Sequence, residues 1–150
     1  MRQLADVATL ASKVPGTRLV VDHCGGHHQL GGASLEKRTT WQLGLKQLAG
    51  CRNVWVKLSG LMGAQGGSGL GGACEWQVAQ AESLRVCVET IPSDRMLFGG
   101  DWPVSKLTAP LHEWVSFASH CLEGLAEEER EAIFWRNAHE VYRLDETQSS

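Results

Sequence analysis

The sequence predicts an α/β fold with a parallel sheet. Short apolar runs suited to strands alternate with longer stretches of helical periodicity. The resulting order, α-β-α-β-α-β-α-α, is that of parallel strands joined by right-handed crossovers. The loops are also unequal. Those entering strands are short ("PGT", "GCR", "PSD"), whereas two of those leaving strands are long and glycine-rich. In α/β folds the chemistry sits at the carboxyl ends of the strands, on the leaving loops.

Each element follows from its local pattern. Leu4, Val7, Ala8, Ala11 and Val14 recur at helical spacing until Pro15-Gly16-Thr17 ends the first helix. Leu19-Val20-Val21 is a β-branched run that reads as a buried strand leading into Gly25-Gly26, with a polar loop to about Thr39. Trp41, Leu45, Leu48 and Ala49 form the next helical stripe, with Thr40 as its expected N-cap. "NVWVKLSG" (53–60) alternates as a half-buried strand does. Seven glycines between Gly60 and Gly72 follow, without the GK[ST] ending of a phosphate-binding loop, and read as a flexible connection. Leu84, Cys87, Val88 and Ile91 carry the third stripe, and Pro92-Ser93-Asp94 breaks it. "RMLFGGDWP" (95–103) is the third strand, ended by Pro103. Leu111, Trp114, Val115, Ala118, Cys121, Leu122 and Leu125 make a strongly amphipathic helix. A last helix spans about Glu127 to Leu144, with Ile133, Phe134, Ala138, Val141 and Tyr142 on one side, Asn137 fixing it and Glu127-Glu128-Glu129 suiting the dipole of its first turn.

Composition narrows the function classes. Fourteen Lys and Arg against seventeen Asp and Glu give a net charge of -3, which speaks against a nucleic-acid partner. No apolar run approaches the roughly 20 residues of a membrane span, and the N-terminus lacks a signal-peptide core, so a cytoplasmic location is expected. Five cysteines without a CxxC pair point to reduced thiols.

Side chains alternate faces along a strand, so each strand can be read to its end. Leu19, Val21 and His23 share one face; Trp55, Lys57 and Ser59 share another; Leu97, Gly99 and Asp101 share a third. Each face ends in a polar group, and the three converge over one sheet. Asp101 is suited to accept a proton from water or to ligate a metal. His23 is suited to ligate a metal or to stabilise an oxyanion. Lys57 is suited to hold a substrate carboxylate or polarise a carbonyl, and Trp102 to form an apolar wall. His27 and His28 belong to the glycine-flanked leaving loop, with His27 at the pocket rim. The plainer alternatives are a capping Asp101, a hydrogen-bonded structural His23 and a solvated Lys57. Asp22 falls on the face opposite His23 and reads as a backbone or helix partner. A small zinc module built from His23, Cys24, His27 and His28 is a further alternative, although the spacing lacks the logic of closed structural sites.

The segments "RLVVDHCGG", "NVWVKLSGL", "RMLFGGDWPV" and "IFWRNAHEVYRL" resemble the C-terminal part of amidohydrolase family 2, in its branch of fuconolactonase-like and dicarboxylate lactonases. The resemblance runs from about Leu4 to Leu144 and implies a (β/α)8 barrel. This chain would carry about three βα units and the terminal helix (1–144), followed by a disordered tail (145–150). It implies a hydrolase acting on a small lactone or similar cyclic ester. Asp101 would be general base or metal ligand, and His23 would polarise the carbonyl or bind metal, with Lys57, Ser59, Trp102 and His27 positioning the substrate. The cofactor implied is one divalent ion, zinc or manganese, alongside members that resemble the rest yet work without metal. Full-length members open with a His-x-His pair that is absent here. The chain is therefore expected to be truncated or one piece of a split protein. The rival expectation is an inactive fragment that docks its open edges onto another copy or a missing N-terminal half.

Overall fold

A computed structural model describes residues 3–26, 34–61, 74–107 and 110–144, with residues 74–79 described by backbone alone. Helix α1 (Gln3–Lys13) buries Leu4 and Ala11 and leads to strand β1 (Leu19–Val21). Helix α2 (Leu35–Ala49) precedes β2 (Val54–Leu58), and α3 (Cys74–Thr90) precedes β3 (Met96–Phe98). Helix α4 (Leu111–Cys121) is followed by α5 (Glu127–Glu131), a π turn (Ala132–Arg136) and α6 (Asn137–Tyr142). All three strands are parallel in the order β1-β2-β3, with Val20 opposite Trp55 and Lys57 opposite Leu97.

The alternation on β2 is realised as expected. Val54, Val56 and Leu58 are buried on the helix side with Leu45, Leu48, Leu84, Trp114 and Ile133, while Trp55 and Lys57 stand half-buried on the opposite face. Burying each such aliphatic side chain stabilises the fold by about 1.5–3 kcal/mol. Among the described residues the sheet has three strands and does not close. β1 is accordingly half-buried along its length, not the buried strand the sequence suggested.

Single side chains staple the short connections that enter the strands. Asn53 Nδ2 donates to the carbonyls of Ala11, Val14 and Thr17, fixing the end of α1. Arg95 donates to the carbonyls of Leu48, Ala49 and Cys51, satisfying the end of α2. Asn137 Nδ2 donates to Ser93 and Met96 carbonyls, tying α6 to the start of β3 as its sequence context suggested. In barrel-type folds this end serves stability and the opposite end serves chemistry.

Several boundaries differ from expectation. Helix α2 begins at Leu35, capped by Ser34, whose side chain accepts from Lys37 N. Thr40 lies inside it, where its hydroxyl donates to the Glu36 carbonyl at 2.8 Å and does not cap. β3 ends at Phe98, because the backbone turns at Gly99-Gly100 and Asp101 adopts φ 51°. Leu111 and Val115 are exposed, outside the stripe buried by Trp114, Ala118 and Leu122. The π turn interrupts the last helix, which rotates Tyr142 out of the core. Cys24, Cys51, Cys87 and Cys121 are free thiols. Among the described residues no helix is long and apolar enough to cross a membrane. His27, His28, most of the glycine-rich stretch and the tail 145–150 lie outside the described residues.

Candidate active site

The site begins where β1 stops. Strand geometry ends at Val21, and His23, Cys24, Gly25 and Gly26 then form a left-handed turn with φ of 53°, 51°, 71° and 84°. For His23 and Cys24 this conformation costs about 1–2 kcal/mol each, so the surroundings must hold it. Gly25 N donates to the Asp22 carbonyl at 3.0 Å, and Trp41 Nε1 donates to the Cys24 carbonyl at 2.7 Å. Cys24 is fully buried in hydrogen-bond contact with Cys87, whose thiol this contact and burial push well up. Gly25 allows the turn to close, since a Cβ there would meet Leu4 at 2.8 Å.

This turn aims His23 at its neighbours. His23 Nδ1 lies 2.9 Å from Ser59 Oγ, and Ser59 is 1% exposed at the end of β2. Gly60, with φ 67°, passes directly beneath the imidazole, where an added Cβ would sit 2.6 Å from Nδ1. On the other side His23 Nε2 faces Asp101 Oδ1 at 3.8 Å. Asp101 is held in its positive-φ conformation as Ser105 N donates to its carbonyl. The 3.8 Å gap is too long for a direct hydrogen bond, and it is a separation that a single oxygen about 2.8 Å from each atom would span.

Lys57 borders the same group. A Cβ on Gly99 would meet Lys57 Cδ at 2.9 Å and Ser59 Cβ at 3.0 Å, so the lysine stem and Ser59 pack side by side under the glycine. Its ammonium does not point into the His23–Asp101 gap. Nζ lies 2.6 Å from Asp22 Oδ1 and 5.8 Å from the Tyr142 ring centre. Burial alone would lower its pKa, but hydrogen bonds to Asp22 and Tyr142 and attraction to both outweigh that, and the pKa is raised. Asp22 is thus an ion-pair partner of Lys57. The sequence reading of Asp22 extended the strand alternation one residue too far. Trp102 is exposed on the leaving loop with Val104 and Leu107.

The structure therefore brings together His23, Ser59 and Asp101, with Lys57 alongside; Trp102, next in the chain after Asp101, is exposed, and His27 lies outside the described residues. Sequence reasoning missed Asp22, Gly60 and Tyr142. The glycine directly after a polar strand end was the available signal for Gly60. Two donors, His23 Nε2 and Asp101 Oδ1, are fewer than the three protein ligands of a catalytic zinc site. Among the described residues no group of three or more donors could hold a metal, so these residues alone do not fit one. The compact zinc cluster does not form from its described members either: Cys24 turns into the core and His23 Nδ1 meets Ser59.

Known proteins share this architecture. L-Fucono-1,5-lactonase of Burkholderia multivorans is 31% identical over 151 residues, 97% of this chain and 49% of that protein. L-Fucono-1,5-lactonase of Burkholderia ambifaria is 28% identical over 149 residues, 96% of this chain and 48% of that protein. A zinc-bound crystal structure of a Burkholderia multivorans amidohydrolase superimposes with a TM-score of 0.78 at 26% identity, over 95% of this chain and 49% of that one. The chain spans about half the length of the curated relatives it matches. The amidohydrolase family profile matches residues 1–144, a span that includes all three strands and the His23–Asp101 pair, and the chain belongs to that family.

Proposed function

We propose that the site hydrolyses a lactone or a similar cyclic ester. The observation that carries this reading is the His23 Nε2–Asp101 Oδ1 pair, 3.8 Å apart at the leaving ends of β1 and β3. A water between them donates to Asp101, which removes its proton as the oxygen attacks the carbonyl carbon. His23, oriented by Ser59, donates to the carbonyl oxygen as it becomes an oxyanion. When the tetrahedral intermediate collapses, the ring C–O bond breaks and the ring oxygen takes the proton held by Asp101. The product is an open-chain hydroxy acid. To Trp102 and His27, each a few residues beyond a strand end in the sequence, the same reading assigns contact with the substrate. The relatives named L-fucono-1,5-lactonase support a small sugar lactone as the substrate.

The test is turnover of a panel of aldonolactones by the purified chain in a pH-stat, in water enriched in ¹⁸O. The reading requires acid release above the spontaneous rate, with one label entering the new carboxylate. Spontaneous rates throughout the panel would refute it for this chain.

A second reading is favoured by the open three-stranded sheet. Here the pair is half of a site that works only when further barrel strands, in the same or another polypeptide, cover the edges of β1 and β3. Sedimentation of the active species decides between the two: activity confined to an assembly larger than one 16.4 kDa chain supports the second reading, and an active monomer rejects it.

A further inference from the structure

We infer that Asp22 sets the charge of the substrate this site accepts, by occupying Lys57 as a built-in carboxylate. The inference deepens the lactone reading above and rests on it. Lys57 lies beside the His23–Asp101 pair, its stem packed against Gly99 and against Ser59, the partner of His23. An ammonium in that place would attract a substrate carboxylate. The structure fills it from within: Asp22 Oδ1 lies 2.6 Å from Nζ. Of the two side chains that of Asp22 is the more exposed, 58% against 26% for Lys57. Its carboxylate takes up the ammonium's hydrogen-bonding capacity, which an incoming anion would otherwise use.

The charge balance points the same way. Asp22 cancels Lys57, which leaves the Asp101 carboxylate facing the mouth beside His23. An anionic substrate then meets a neutralised lysine and an unfavourable aspartate, whereas a hydroxylated neutral lactone meets acceptors for its hydroxyl groups. Tyr142 also contacts Lys57, its ring centre 5.8 Å from Nζ, and remains a partner for the ammonium once the carboxylate is removed.

The experiment compares wild type, Asp22→Asn, Lys57→Met and the double variant, with Asp22→Ser as a second replacement in case the amide disturbs the turn. One arm measures kcat/KM for a neutral aldonolactone and for an aldarolactone bearing a free carboxylate. The carboxylate-to-neutral ratio should rise about tenfold or more in Asp22→Asn, the scale of one charge-assisted hydrogen bond. It should return to the wild-type value in the double variant. An unchanged ratio, or an equal rise in the double variant, would overturn the inference. The second arm is independent of turnover: malonate is titrated while the Lys57 Cε resonance is followed. Asp22→Asn should bind malonate about tenfold or more tightly than wild type, and Lys57→Met should abolish the gain. If wild type hydrolyses neither lactone, the lactone reading fails and malonate alone decides. A gain that depends on Lys57 sustains the Asp22 assignment, and no gain rejects it.

Discussion

Gly60→Ala tests how the His23 ring is held. The added Cβ would lie 2.6 Å from His23 Nδ1, 2.7 Å from Cγ and 2.8 Å from Cβ, where ordinary contact begins at 3.4 Å. The imidazole must therefore retreat by roughly 0.8 Å, and it has little room, because its own backbone is in the left-handed region and Nδ1 is engaged with Ser59. Alanine at φ 67° adds a backbone cost. The two effects together amount to about 2–4 kcal/mol, a fall in Tm of about 5–15 °C. Displacing a reacting group by about 1 Å costs on the order of 100-fold in rate. Thermal unfolding and lactone turnover measure both. In a His23→Gly background, which removes the ring and its Cβ together, the clash is gone, and Gly60→Ala should then cost only the backbone part, about 1–2 kcal/mol. A Gly60→Ala protein with wild-type Tm and rate would refute the reasoning, as would the full loss persisting without the ring.

Three further outcomes follow from the same structure. Asn137→Ala strands two carbonyls, those of Ser93 and Met96, at a position 5% exposed, and should lower stability by about 2–4 kcal/mol in urea titrations; a loss under 0.5 kcal/mol would contradict the staple. Ser59→Ala should lower kcat about tenfold or more with little change in KM, and ¹⁵N spectra should show a changed His23 tautomer balance; an unmoved tautomer balance would remove Ser59 as the orienting group. Lys57 has a raised pKa in the folded state, so its ion pair contributes fully below the unfolded value near 10.5 and is lost as pH rises through the higher folded value. The stability deficit of Lys57→Met should therefore be equal at pH 7 and 9 and shrink only above 10.5; a deficit that shrinks between pH 7 and 9 would contradict the raised pKa.

Sequence periodicity revealed the strands and the helical layer because burial imposes it: Val54, Val56 and Leu58 pack on helices, and Leu84 and Cys87 meet them at helical spacing. The grouping of His23, Ser59 and Asp101 was readable as well, since each stands at a strand's carboxyl end. The route to it was not. Alternation extended through residues 22–23 and 99–101 put the right residues near the mouth by a rule that the backbone abandons after Val21 and Phe98, ahead of the positive-φ residues His23 and Asp101. The left-handed turn at His23 and Cys24 is held by tertiary contacts, among them Trp41 to the Cys24 carbonyl across 17 residues, which leave no local trace. The Asp22–Lys57 pair spans two strands and was hidden for the same reason. Thr40 misled because a threonine before an apolar stripe looks like a cap, whereas Ser34, one turn and a half earlier, holds that place.

The central claim is that Asp101, facing His23, removes the proton from the attacking water. It is tested most directly by kcat for Asp101→Asn on whichever aldonolactone the wild type turns over. The substitution keeps the shape of the side chain and removes the base, so kcat should fall by about 100-fold or more with KM little changed. A variant that retains wild-type kcat would contradict the account.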